Sequence, residues 1–65
     1  MPIVRIELYK GRTAEQKAAC AHDVIAAVAK TLGVPPKATQ VIFVDVDRSD
    51  WIVGTGESVP PATTG

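Results

Sequence analysis

A long helical pattern lies between two β-patterned runs, and that order leaves few folds open. From residue 14 to 32 strong helix formers predominate, and Cys20, Ala21, Val24, Val28 and Leu32 recur at spacings that stack on one side of a 3.6-residue repeat. That stripe is expected to pack on a sheet, with the lone Cys20 as a small buried thiol. Glu15, Gln16, Lys17, His22, Asp23 and Lys30 take most of the remaining surface, and His22 has no neighbour at metal-ligand spacing. Thr13 followed by Gln16 has the form of a capping box and starts the helix. Gly33 suits the left-handed residue that ends it, and Val34-Pro35-Pro36 forbids continuation.

Ahead of the helix, Ile3, Arg5, Glu7 and Tyr9 alternate with Val4, Ile6 and Leu8, the period-two pattern of a strand with one apolar face. Behind it, Lys37-Ala38-Thr39 is expected to make a single turn. Gln40-Val41-Ile42-Phe43-Val44-Asp45-Val46 then reads as a buried second strand. Two strands joined by a helix of this length imply a right-handed crossover with the strands parallel. The fold class is α+β: a single βαβ unit, one domain over residues 1–65, followed by a polar loop at 47–50 and a short extended segment from Trp51 to a glycine turn at Gly54-Thr55-Gly56. The tail from residue 57, with Pro60-Pro61, has little to bury and is expected to be loose.

Such a unit is small for its needs. At 65 residues, a chain buries only about 60% of the surface it exposes unfolded. With 46% hydrophobic residues and one cysteine, neither a disulfide nor zinc supplies the missing stabilisation. A two-stranded sheet covered by one helix also keeps an open edge and a bare face, so its sheet is expected to be completed by dimerisation. Seven basic residues balance seven acidic ones without a basic stripe, which argues against nucleic acid as a partner. No apolar run is long enough to cross a membrane and no signal-peptide pattern is present, so the cytoplasm is the expected compartment.

The candidate chemistry begins with Pro2, which stands directly after Met1 at the head of the first strand. Removal of Met1 would free a secondary amine. An α-amino group titrates near pH ~8 in model peptides, and burial or a nearby cation pulls it toward neutrality, where a base can shuttle protons. Arg12 follows the first strand and Trp51 the second. At ~3.3 Å per residue, strand geometry sets Pro2 and Arg12 more than ~25 Å apart within one chain. A shared site therefore requires an Arg12 from another copy.

Pro2, the segment Leu8-Tyr9-Lys10-Gly11-Arg12-Thr13 with Glu15-Gln16-Lys17, the helix exit Leu32-Gly33-Val34-Pro35, the strand residues Val41-Ile42 and the stretch from Trp51 to Gly54 together resemble the 4-oxalocrotonate tautomerase family, the small members of the tautomerase superfamily. The resemblance covers residues 2 to about 54. It implies a cofactor-independent isomerase in which Pro2 moves a proton between carbons of a 2-hydroxymuconate-like enol acid, giving the conjugated ketone. It implies that Arg12 binds a substrate carboxylate from a neighbouring subunit, that Trp51 keeps the pocket apolar, and that the assembly is a hexamer built as a trimer of dimers. Tyr9 falls where the family can face an adjacent pocket; its hydroxyl is either a donor to substrate or part of an interface aromatic.

Three departures mark this sequence. Gln40 stands where the family has a second active-site arginine, which points to reduced activity on the standard dicarboxylate or a different substrate. Arg5, Lys37 and Arg48 are candidate substitutes for the missing charge. Ile52 replaces the glycine after the aromatic residue, and the tail has no Lys or Arg. Two other readings stay open: a hydratase or dehalogenase of the superfamily, needing an acid among Asp45, Asp47, Asp50 and Glu57, and a catalytically idle oligomeric binding module.

Overall fold

Local signals at both ends of the helix act as written in the sequence. In the computed structural model, which describes residues 2–56, Thr13 Oγ1 accepts from the Gln16 N–H at 3.0 Å and Gln16 Oε1 accepts from the Thr13 N–H at 2.9 Å. Two orphan donors are satisfied reciprocally, and α1 (Ala14–Leu32) follows. It stops at Gly33, where φ is 69° and the N–H donates to the Ala29 carbonyl at 3.0 Å. Gly11, at φ 124°, makes the turn between the first strand and α1 in a conformation that side-chain-bearing residues avoid.

Strands β1 (Ile3–Tyr9) and β2 (Gln40–Val46) pair in parallel, from Ile3 opposite Gln40 to Tyr9 opposite Val46. One bond beyond each end extends the ladder: the Gln40 N–H donates to the Pro2 carbonyl and the Lys10 N–H to the Val46 carbonyl, both at 3.0 Å. The expected βαβ unit is thus present. Val4, Ile6 and Leu8 share a face with Val41 and Phe43, all half-buried. α1 lies against that face, tied to β2 by Lys17 Nζ, which donates to Asp45 Oδ2 at 2.6 Å.

The helix presents a slightly different stripe from the one anticipated. Its half-buried positions are Lys17, Ala21, Val24, Ile25, Val28 and Ala29, whereas Cys20 is exposed and Leu32 is 63% exposed. The buried-thiol expectation for Cys20 is therefore corrected: the 100° step per residue puts Cys20 and Ile25 on opposite flanks of the stripe, and the bulkier isoleucine takes the inner flank. Leu32 lies in the final turn, past the strands' reach. β2 is also not uniformly buried, since Ile42 is 44% exposed on the sheet face opposite α1, beside Ile3 at 57%. A continuous apolar run made β2 look covered on both faces, while one chain supplies a cover for one face only.

Smaller shifts occur in the connections. The turn after α1 is a 3₁₀ turn at Pro36–Ala38, a residue earlier than expected, because proline is favoured at its first position. The polar stretch after β2 closes into a 3₁₀ turn, Arg48–Asp50, and a single-residue bridge at Ile52 precedes the turn at Gly54. The expected loose tail, Glu57 and the fate of Met1 lie outside the described residues.

Thr13→Ala removes one half of the capping box and is expected to lower unfolding free energy by about 1 kcal/mol. Urea denaturation followed by circular dichroism measures the difference.

Candidate active site

Past the C-terminal end of β2, the chain turns under the control of one carboxylate. Asp47 Oδ1 accepts from the Ser49 N–H at 3.0 Å and from the Ser49 hydroxyl at 2.8 Å, while its carbonyl accepts from the Asp50 N–H at 2.8 Å. Lys10 Nζ approaches Asp47 Oδ2 at 3.5 Å, joining the turn to the end of β1. The hydrogen bonds from the Ser49 N–H, then from its hydroxyl, hold the Asp47 carboxyl below its ordinary value, and Lys10 adds to this.

The 3₁₀ turn ends at Asp50, and Trp51 follows as its extended C-cap, three residues after Arg48. Tyr9 lies beside both. The Arg48 guanidinium carbon sits 4.6 Å from the Tyr9 ring centroid. The Tyr9 and Trp51 centroids are 5.0 Å apart with their planes at 67°, an edge-to-face contact. All three residues are half-buried. A cation over an aromatic face contributes roughly 0.5–1 kcal/mol at such a site.

Arg12 stands near the same end of the sheet, where Gly11 turns the chain from β1 into α1. It borders an open depression of about 200 Å³ whose floor is Ile6, Leu8 and Phe43 and whose rim includes Gln16, Lys17 and Cys20. An apolar floor with a cationic rim suits a small organic anion.

Pro2 is at the opposite end. It is half-buried, its carbonyl held by Gln40, and the neighbouring Thr39 is 6% exposed with an Oγ1 that has no hydrogen-bond partner among the described residues. Of the candidate site residues, Pro2 and Gln40 come together, and Tyr9 and Trp51 come together; Arg12 follows Tyr9 at that end of the sheet but borders the depression on the α1 face, whereas Tyr9 belongs to the opposite face. The two groups are separated by the length of a seven-residue strand, about 23 Å at ~3.3 Å per residue. Within one chain the structure does not unite them.

The substitutes considered for the missing charge at Gln40 fare unequally. Arg5 pairs with Glu7 at 3.3 Å on the exposed sheet face, and Lys37 lies exposed in the turn before β2. Arg48 instead packs over Tyr9, which in turn meets Trp51. Its closeness to Trp51 in sequence was the available signal, but it acquires meaning only once the turn at 48–50 brings both residues to Tyr9. Among the acids, Asp45 is bound to Lys17 and Asp47 caps the turn. Among the described residues, no group of three His, Cys, Asp or Glu is placed to hold a metal ion, and no helix is long and apolar enough to cross a membrane.

Comparison with known proteins yields one family. The family model described as "Tautomerase enzyme" matches residues 2–59. A protein named probable tautomerase from Streptococcus pneumoniae serotype 4 is 50% identical over 51 residues, covering 78% of this chain and 85% of that one. Another from Ralstonia nicotianae is 39% identical over 51 residues, covering 78% of each. Among solved structures, TomN, a 4-oxalocrotonate tautomerase homologue in the tomaymycin biosynthetic pathway, superposes with a TM-score of 0.83 at 38% identity, covering 89% of this chain and 88% of TomN. A heterohexamer 4-oxalocrotonate tautomerase from Chloroflexus aurantiacus matches with a TM-score of 0.82 at 38% identity, covering 89% and 92%.

Because the folded-state pKa of Asp47 is lowered, its ionised form favours the native chain. That contribution is fully present above the ordinary carboxylate value of ~3.9 and is lost as pH falls through the lower folded value. Asp47→Asn is thus expected to be less stable than the parent at neutral pH, with the difference vanishing in acid. Denaturant titrations across that range measure it.

Proposed function

The chain belongs to the tautomerase family, among its small 4-oxalocrotonate tautomerase-like members, and is an isomerase of the tautomerase type; from that premise we propose that Pro2, freed by removal of Met1, is the general acid/base for ketonising a 2-hydroxymuconate-like enol acid. The observation that carries the reading is the division of the candidate residues between the two ends of one parallel strand pair. Pro2 and Gln40 at one end have the amine and a neutral donor; Arg12, Tyr9 and Trp51 at the other have the cation and the aromatic wall. A complete site forms where one copy's Pro2 end meets another copy's Arg12 end.

The chemistry follows from those groups. A neutral secondary amine at Pro2 takes the enol hydroxyl proton and returns a proton to carbon as the ketone forms. Arg12 of another copy binds a substrate carboxylate with charge-assisted hydrogen bonds, fixing the acid against the amine. Trp51 and Tyr9 exclude water, which strengthens both interactions. Gln40 donates from its amide at the reacting end, where it steadies a carbonyl oxygen without supplying a charge. No cofactor takes part.

Assembly supports the same reading. Ile3 and Ile42 expose apolar surface on the sheet face away from α1, and the chain is too small to be stable with that face bare. The matched Chloroflexus protein is a heterohexamer. We assign this chain a homo-oligomer, with a hexameric trimer of dimers as its form, acting in the cytoplasm. Asp45 and Asp47 are both engaged in structural bonds, which leaves neither as the acid that the hydratase alternative needs.

Ultraviolet assay of 2-hydroxymuconate and 2-hydroxy-2,4-pentadienoate tests the proposal, on protein whose intact mass shows Met1 removed. Pro2→Ala is expected to lose about 10²–10⁴-fold in kcat, the usual worth of a positioned acid/base. Arg12→Ala is expected to lose about ten- to a hundredfold in kcat/KM, the equivalent of roughly 1.5–3 kcal/mol for a hydrogen bond to a charged group. Co-refolding the two variants should restore part of the activity, since mixed assemblies contain intact sites. Parent-like rates in both variants, or no recovery on mixing, would refute the shared site.

A further inference from the structure

We propose that Arg48 is a positioning residue for the pocket wall, a clamp that fixes Tyr9 and through it Trp51. The proposal rests on the reading of Trp51 as part of the substrate pocket. It goes beyond that reading because it assigns a role to a residue that reaches the site through another.

The clamp follows from the local fold. Asp47 caps the turn through Ser49, and the Trp51 N–H donates to the Arg48 carbonyl at 3.1 Å, so the backbone between residues 48 and 51 is closed on itself. The closed turn brings Arg48 and its extended C-cap residue, Trp51, to the same neighbour. That neighbour is Tyr9, the last residue of β1, anchored opposite Val46. The guanidinium lies 4.6 Å from the ring centroid, and the indole meets the same ring edge-to-face at 5.0 Å.

A phenol ring contacted by only one partner would retain rotational freedom about its χ2 axis. Two partners at different angles remove it. Trp51 follows the turn and precedes a glycine-rich stretch, so Tyr9 is the packed aromatic against which its indole is set. Loss of Arg48 frees Tyr9, and the indole then samples more orientations. Substrate binding weakens while the amine at Pro2 is untouched, which predicts a change in KM larger than that in kcat.

The chain has one tryptophan, so its emission reports this site alone. We measure Trp51 emission, acrylamide quenching and steady-state kinetics for the parent, Arg48→Met and Arg48→Lys, each checked for the parent's elution volume and circular dichroism. Arg48→Met keeps the apolar stem and is expected to red-shift and increase quenching of Trp51, with KM raised about two- to fivefold, the fold-change equivalent of a lost cation–π contact. Arg48→Lys retains a cation over the ring and should recover most of both signals. If Arg48→Met does not fold, Arg48→Gln takes its place in the same comparison. Unchanged emission and KM would overturn the clamp. So would a KM rise confined to dicarboxylate substrates with emission unchanged, which is the mark of a guanidinium that touches substrate directly. Emission reads the clamp without turnover. An inactive parent whose Arg48→Met variant still shifts would therefore sink the pocket assignment and leave the clamp in place.

Discussion

The structure depends on the parallel register of β1 and β2. Seven consecutive pairings, from Ile3 with Gln40 to Tyr9 with Val46, decide which residues share an end of the sheet. A parallel pair has unlike ends: here the two strand starts lie together and the two strand exits lie together. The starts bring Pro2 beside Gln40, and the exits bring Tyr9 beside the turn that holds Arg48 and Trp51. A slip of one residue would move every side chain of one strand to the other face and separate these groups. The crossover helix enforces the register through its caps and through the Lys17–Asp45 link.

On the proposed reading, this division lets so small a chain form a site around a substrate with polar groups at both ends. The proposed base and cation are held apart by a rigid ladder, so neither neutralises nor blocks the other inside one subunit. In that proposal only association sets them face to face. An association that also covered the exposed Ile3 and Ile42 would make stability and activity draw on one set of contacts. Gln40 alters the balance at the amine's end. In the proposed site its amide would keep a donor near the reacting oxygen but add no positive charge beside the base, and a neutral neighbour would favour substrates whose anionic group lies at the far end, toward Arg12.

Much of this was legible before the coordinates. Thr13, Gln16 and Gly33 bounded the helix because capping is local chemistry, read within one turn. The alternation of residues 3–9 gave β1 and its inner face. Burial was less readable. Cys20 and Leu32 matched the helical repeat as well as Ala21 and Val28 did, and only the sheet's position and length rejected them. β2 misled for a related reason: a continuous apolar run suggests cover on both faces, whereas this chain's one helix covers one face only. At the site, Arg12 and Trp51 stood out by type and place, but Arg48 did not. Its partner Tyr9 is far away in sequence, and its relation to Trp51 depends on a tight turn that Asp47 and Ser49 create.

One hydrogen bond near the start of the chain has a larger effect than its size suggests. Chain termini ordinarily fray, and a reactive group on a terminal residue would sweep through several ångströms. The Gln40 N–H grips the Pro2 carbonyl at 3.0 Å, which ties Pro2 into the sheet lattice and, on the proposed reading, would hold it there once Met1 is removed. The ring supplies the remaining restraint by locking φ. With Pro2 as the proposed base, an end that in most proteins is the floppiest point of the backbone would become a fixed bearing, aimed with the accuracy of a β-ladder and without a single residue of supporting loop.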